Sequence, residues 1–199
     1  KSRETLMHKA KGLVAFLLLS GPAAAEPFHH PFGEWREYNR DWLAACPDAI
    51  EEDAADYYGY SCFASTGSEE VNGAGLPAYK LTLIRNRLDG ELDLAITVAP
   101  DEGEYDPARP IVLQFGGEAP IQLRLGAELE TRHNTTNQFF VAEAGLLAGL
   151  VETMKERNAV TLSVPLAGRE AAVESRLSLR GVLASLDFMS AYARKVAQY

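Results

Sequence analysis

The stretch "AYKLTLIRNRLDGELDLAITV", residues 78–98, decides the fold class of this chain. Apolar residues stand at every second position from Leu92 to Val98, and residues 78–84 alternate more loosely. A period of two places alternate side chains on one buried face, as in a half-buried β-strand. The Asp89-Gly90 pair between the two runs is a typical hairpin turn. The stretch therefore predicts two antiparallel strands joined by a tight turn.

The rest of the chain continues mainly in the same manner. Five further strand patterns follow, over residues 111–115, 121–125, 138–141, 160–164 and 173–179. Apolar residues at helical spacing predict two helices, at residues 146–154 and 182–196, whose stripes are typical of core contacts. About seven short strands separated by turns favour an antiparallel β-sandwich or barrel-like fold. The fold class is thus mainly β, with two helices in the C-terminal half.

The N-terminal segment has the pattern of a secretory signal. Lys9 and Lys11 precede the apolar residues 12–19, and the small residues 23–25 fit a cleavage site. The apolar run is shorter than the roughly 18–20 residues that span a bilayer. We therefore predict a cleaved signal peptide at residues 1–25, a lead-in at 26–40 and a single β-sandwich-like domain at 41–199. This organisation predicts a periplasmic or secreted protein of a Gram-negative bacterium.

The charge of the chain excludes two classes of partner. Cleavage after Ala25 would remove four basic residues and one acidic residue, which lowers the formal charge from −9 to −12. An acidic surface repels nucleic-acid phosphates and anionic lipids. Neither nucleic-acid binding nor polybasic attachment to a membrane is therefore expected.

Cys46 and Cys62 are the only cysteines. Residues 43–46, "LAAC", resemble a lipid-attachment box, but charged residues separate them from the apolar signal segment, so no lipid anchor is expected. A zinc site needs about four ligands at close spacing, and a C-x-x-C redox motif is absent. Two cysteines in an exported chain favour one structural disulfide. Closing a loop of this size contributes about 3 kcal/mol in the chain-entropy model.

Several short motifs resemble one known family. They are Trp42 followed by Cys46, "SCFAST" at 61–66, "VTLSVPL" at 160–166 and "SLRGVLASL" at 178–186. Their order resembles the invasion-associated locus B family of exported alphaproteobacterial proteins. The resemblance implies a small β-sandwich-like protein of the periplasm or outer envelope. Some members are linked to host-cell entry, and the family supplies no catalytic residues. Many members carry a second cysteine pair in the middle of the chain, which this sequence lacks at 130–145.

The sequence contains few residues arranged for catalysis. The G-x-S-x-G motif of serine hydrolases is absent. His133 is the only histidine of the predicted domain, and the carboxylates of residues 101–106 are typical of a solvated acidic turn. We assign no catalytic, cofactor-binding or metal-binding residue and expect no cofactor.

Three hypotheses about function remain open. The first is a non-enzymatic exported module that contacts an unidentified envelope or host protein through an edge strand or through Tyr57, Tyr58 and Tyr60. Tyrosine is enriched at interfaces, although these three could instead pack their loop onto the domain. The alternatives are a periplasmic hydrolase that uses His133 or the 101–106 carboxylates, and a carrier of a small ligand or metal.

Overall fold

A computed structural model describes residues 26–54 and 57–196, without the side chains of 194–196. The predicted signal peptide, residues 1–25, lies outside the described residues. The described chain forms two antiparallel β-sheets and two α-helices. The expected sandwich-like, mainly β fold is therefore confirmed, with two separate sheets and no closed barrel.

The larger sheet has eight strands, numbered here along the chain. In spatial order they are β1 (Phe28–His30), β2 (Glu34–Asn39), β3 (Trp42–Pro47), β4 (Ser61–Gly67), β5 (Tyr79–Asn86), β6 (Leu92–Val98), β10 (Gln138–Val141) and β9 (Leu129–Glu130). The smaller sheet contains β12 (Val173–Ser178), β11 (Ala159–Val164), β7 (Ile111–Gln114) and β8 (Ile121–Leu123), also in spatial order. Six consecutive strands, β1 to β6, thus form one meander, because each pairs with the next along the chain.

The hairpin predicted from residues 78–98 is present. Strands β5 and β6 pair antiparallel from Tyr79 opposite Val98 to Arg85 opposite Leu92. Gly90 has a φ of 84° in the connecting turn, a conformation that residues with a side chain rarely adopt. Leu94 is fully buried, as the alternation of the sequence requires. This hairpin forms the centre of the larger sheet.

Both helices lie where their apolar stripes predict. Helix α1 (Ala144–Glu156) begins after Glu143, whose carboxylate accepts hydrogen bonds from the backbone N–H groups of Gly145 and Leu146 at 3.0 Å. This capping satisfies N–H groups that have no partner within the helix. Helix α2 (Val182–Val196) packs against β2, β3 and β4. The helices and the smaller sheet together cover one face of the larger sheet.

The N-terminal strands are the main feature that the sequence patterns did not predict. Residues 26–40, expected as a lead-in, contain β1 and β2, and β2 pairs along its whole length with β3. Trp42 is buried, and its indole N–H donates to the carbonyl oxygen of Ser178 at 3.0 Å. Trp35 packs partly buried against the same core. The lead-in is therefore integrated into the larger sheet.

A second, smaller apolar cluster lies on the opposite, outer face of the larger sheet. It consists of the buried residues Tyr57, Ile84, Ala95 and Phe140, with Tyr60 and Phe63 packed against it. Tyr57 belongs to a 3-10 turn, Tyr57–Gly59, that precedes β4. The loop between β3 and β4 therefore covers part of the outer face.

Candidate functional site

The predicted disulfide joins two neighbouring strands of the larger sheet. Cys46 on β3 and Cys62 on β4 are bonded, with their Cα atoms 4.2 Å apart. The strands pair as far as Ala45 opposite Phe63, so the two cysteines continue this register by one residue. Both cysteines are buried. The expected structural disulfide is confirmed, and it closes the loop of residues 47–61, here called the disulfide loop.

Arg87 ties the disulfide loop to the central hairpin. Its guanidinium donates to the carbonyl oxygens of Pro47 at 2.6 Å and Ala49 at 3.3 Å. Its backbone N–H donates to the carbonyl oxygen of Tyr60 at 3.1 Å. Burial lowers the pKa of Arg87, and the nearby Asp48 carboxylate opposes this shift. Arg87 thus fixes both ends of the loop.

The three tyrosines proposed as a contact surface have different environments. Tyr57 is only 4% exposed, and its hydroxyl accepts a hydrogen bond from the side chain of Gln138 at 3.0 Å. Tyr60 is partly buried against the outer cluster. Tyr58 is 42% exposed and lies edge-on to Phe63, with ring centroids 5.1 Å apart. Tyr57 and Tyr60 therefore support the loop, and Tyr58 presents its ring to solvent.

A groove of about 670 Å³ lies beside Tyr58. The disulfide loop forms one side, and the turn between β1 and β2 forms the other. Phe32 in that turn is 82% exposed, the highest fraction among the exposed large apolar side chains of the described residues. Pro47 and Ala49 also line the groove. Glu51 adds a carboxylate, and the Asp48 carboxylate is bonded to the His29 ring at 2.6 Å. This Phe32–Tyr58 groove combines apolar surface with an acidic border.

The exposed Phe32 was not among the candidate residues predicted from the sequence. The signal was present in "EPFHHPF", where an aromatic residue follows proline in an otherwise polar segment. Its neighbours are held in place, because Phe28 stacks on Tyr38 with ring centroids 5.9 Å apart, and the Arg36 guanidinium lies 5.8 Å from the centre of the Phe32 ring.

A second depression, of about 400 Å³, opens on the outer face at the end of the central hairpin. Carboxylates of the hairpin and His133 both line it. Arg132 also lines it and forms ion pairs with Asp93 at 3.0 Å and with Glu130 at 2.6 Å. Burial lowers the pKa of Arg132, but these two carboxylates outweigh that effect and raise it. We call this depression the hairpin cleft.

His133 and the acidic turn of residues 101–106, proposed as alternative catalytic groups of a hydrolase, lie in different environments. His133 shares the hairpin cleft with carboxylates of residues 89–93, and not with those of residues 101–106. The Asp101 carboxylate accepts from the backbone N–H of Gly73 at 2.8 Å, and Asp106 pairs with Arg109 at 2.8 Å. Hydrogen bonds from the backbone of Ala108 and from Arg109 lower the pKa of Asp106. The acidic turn therefore stabilises its own loops.

The described residues offer no ready site for a metal ion. Within residues 26–54 and 57–196, no three side chains of the metal-binding types come together. Neither α1 nor α2 has the length and apolar character needed to cross a membrane.

Comparison with known proteins finds a likeness in fold. No family model matches the sequence, and no curated protein matches it significantly. Among solved structures, invasion associated protein B from Bartonella henselae superimposes with a TM-score of 0.51 at 16% sequence identity. The match covers 80% of this chain and 98% of that chain. The resemblance detected in the sequence is thus supported, and the fold it implies is confirmed.

Proposed function

We propose that this chain is a divergent member of the invasion-associated locus B family. It is an exported, non-enzymatic protein of the bacterial envelope that acts through contacts with another protein. The shared fold supports the family, and the buried disulfide supports export, because such bonds form and persist in oxidising compartments. The signal-like residues 1–25 point to the same location.

The Phe32–Tyr58 groove is the observation that carries the proposed mode of action. Two large aromatic side chains, exposed by 82% and 42%, face water at one site. Burying such rings contributes about 1.5–3 kcal/mol each, and aromatic residues dominate the energetics of interfaces. The border residue Glu51 favours a partner whose apolar segment is flanked by lysine or arginine.

Site-specific photo-crosslinking tests this proposal. A photoreactive phenylalanine analogue at position 58 should form a discrete adduct in envelope extract, and the same group at Leu76 should not. Leu76 is a suitable control because it is 61% exposed and lies outside the groove. Phe32→Ala should weaken the adduct-forming interaction at least about tenfold. Identical adducts from both positions, or no effect of Phe32→Ala, would refute the groove as the contact surface.

Export is tested separately by the N-terminus of the mature protein. Mass spectrometry of the periplasmic or secreted fraction should find a chain that begins at Glu26. An uncleaved chain confined to the cytoplasm would contradict the proposed location and leave the groove experiment valid.

The hairpin cleft favours a ligand-binding alternative. His133 and Glu91 line one depression together with Asp93, which is paired with Arg132. A hydrolase would lose turnover of its ester or glycoside substrate in His133→Ala. A carrier would bind a ligand without consuming it.

A further inference from the structure

The hairpin cleft is lined by Ser61, whose buried hydroxyl has no partner among the described residues. Ser61 is fully buried, and no group among the described residues hydrogen-bonds its side-chain oxygen. Leaving a buried polar group unpaired costs about 1–3 kcal/mol, so such groups in native proteins need an explanation. The oxygen has almost no solvent-accessible surface, so a ligand that displaces the atoms covering it and donates to it would recover that cost.

Strand geometry directs Ser61 toward the cleft. On β4, Ser61 and Phe63 lie two residues apart and therefore project from the same face of the sheet. Phe63 packs against the outer cluster, which identifies this face as the outer one. Opposite Ser61 on β5 stands Asn86, and both residues line the cleft. The unpaired hydroxyl thus belongs to the wall of the cleft.

The charged groups of the cleft are predominantly acidic. Asp89, Glu91 and Asp93 contribute three carboxylates, and Arg132 contributes one guanidinium. The Asp89 carboxylate accepts hydrogen bonds from the side chain of Asn86 and from the backbone N–H of Glu91, both at 2.8 Å. Asp93 is paired with Arg132. Glu91 remains, because its side chain has no hydrogen bond or ion pair with any described residue.

We propose that the hairpin cleft binds an alkylammonium group, carried by a small diamine or by a lysine side chain. An ammonium group has three N–H donors and no acceptor. It donates to the Ser61 oxygen and to the Glu91 carboxylate, while the ring of Tyr60 and the side chain of Ile84 pack against its alkyl chain. The excess of carboxylates over guanidinium disfavours an anion at the same position. This site is independent of the Phe32–Tyr58 groove.

Titration calorimetry at low ionic strength, with the full mature chain, tests the site. The probes are 1,4-diaminobutane for a free diamine and Nα-acetyl-lysine methylamide for a lysine side chain. The monoacetylated and diacetylated diamines serve as probes with one and no ammonium group. Binding of either cationic probe, with none of the diacetylated compound, is expected. The cationic probe that binds with the higher affinity shows whether the ammonium group comes from a free diamine or from a lysine side chain.

Two substitutions and one matched control separate the site from nonspecific attraction. Glu91→Gln and Ser61→Ala should each weaken binding about tenfold or more, as expected for a lost hydrogen bond to a charged group. Thr82→Val should leave binding unchanged. Thr82 also has a buried hydroxyl without a partner on the outer face, but it is not a lining residue of the cleft.

Each result decides the proposal. Ser61→Ala should keep or raise its thermal stability, because the lost hydroxyl is buried and has no partner among the described residues. If that variant does not fold, Glu91→Gln still gives the answer. Absence of heat with both cationic probes overturns the proposal, as does equal affinity in wild type and Glu91→Gln.

Discussion

Replacing Cys46 and Cys62 together by alanine should lower the free energy of unfolding by about 3 kcal/mol. The bond connects residues separated by 16 positions, and removing it lets the unfolded chain explore conformations that the closed loop forbids. For a chain of this size, 1 kcal/mol corresponds to roughly 2–4 °C in the melting temperature, so a decrease of roughly 6–12 °C is expected.

Urea denaturation with and without reductant measures this contribution. Reduction of the wild-type chain should reproduce most of the loss, because it opens the loop and leaves both sulfur atoms in place. The double-alanine variant should be insensitive to reductant. Its denaturant slope should be slightly steeper, since an unfolded chain without the cross-link exposes more surface.

Two outcomes would refute this reasoning. A loss below about 1 kcal/mol would mean that the unfolded loop is already ordered without the bond. A reductant effect that persists in the double-alanine variant would show that the reductant acts elsewhere. Both results are read from the same set of denaturation curves.

Two further predictions concern the backbone and the pH dependence. Gly181→Ala should destabilise the fold by at least about 2 kcal/mol, because Gly181 has a φ of 110° and a Cβ there would lie 1.7 Å from the carbonyl oxygen of Asn39. The control Gly149→Ala, where a Cβ meets nothing within 4 Å in helix α1, should be neutral or stabilising in the same thermal melts. Burial is the main cause that raises the pKa of Tyr79 from 10.0 to about 12, and the charge of the nearby Glu102 carboxylate is the second. The folded state then binds more protons than the unfolded state from pH 10 to about 12, so stability should fall as the pH rises across that window. Tyr79→Phe should remove this part of the decline in urea titrations, and an unchanged decline would contradict the assignment.

The sequence could predict elements whose faces differ in environment. Strand β6 has one face in the main core, and this makes Leu92 to Val98 alternate. Helices α1 and α2 each bury one stripe against the sheet, which leaves a helical period in the sequence. Cys46 and Cys62 could be paired because they are the only cysteines. In each case, one physical requirement determines a pattern that can be seen in the sequence itself.

Strands β1 and β2 could not be predicted because each carries polar side chains on both faces. Strand β2, "EWREYN", places Trp35 and Glu37 on one face and Arg36 and Tyr38 on the other, so no apolar alternation appears. Strand β2 is stabilised by contacts with strand β3 and helix α2. A local sequence pattern does not contain these contacts. The assignment of residues 26–40 as a lead-in followed from this limitation.

The two candidate surfaces were hidden for a related reason. Ser61 and Glu91 are thirty positions apart, and only the pairing of β4, β5 and β6 brings their strands to one cleft. Phe32 and Tyr58 line one groove because the pairing of β2 with β3 brings the β1–β2 turn next to the disulfide loop. Each residue is unremarkable in sequence, since exposed single aromatic or acidic residues are common. Their significance comes from long-range pairing.

The position of the disulfide connects the fold to both surfaces. Strands β3 and β4 are already held in register by backbone hydrogen bonds from Leu43 opposite Ser65 to Ala45 opposite Phe63. The bond is therefore not needed to choose which strands pair, and its main constraint falls on the disulfide loop. That loop supplies Tyr58 to the groove and Tyr60 to the hairpin cleft. A reduced chain that keeps both sheets should consequently lose order at these two surfaces before it loses the core.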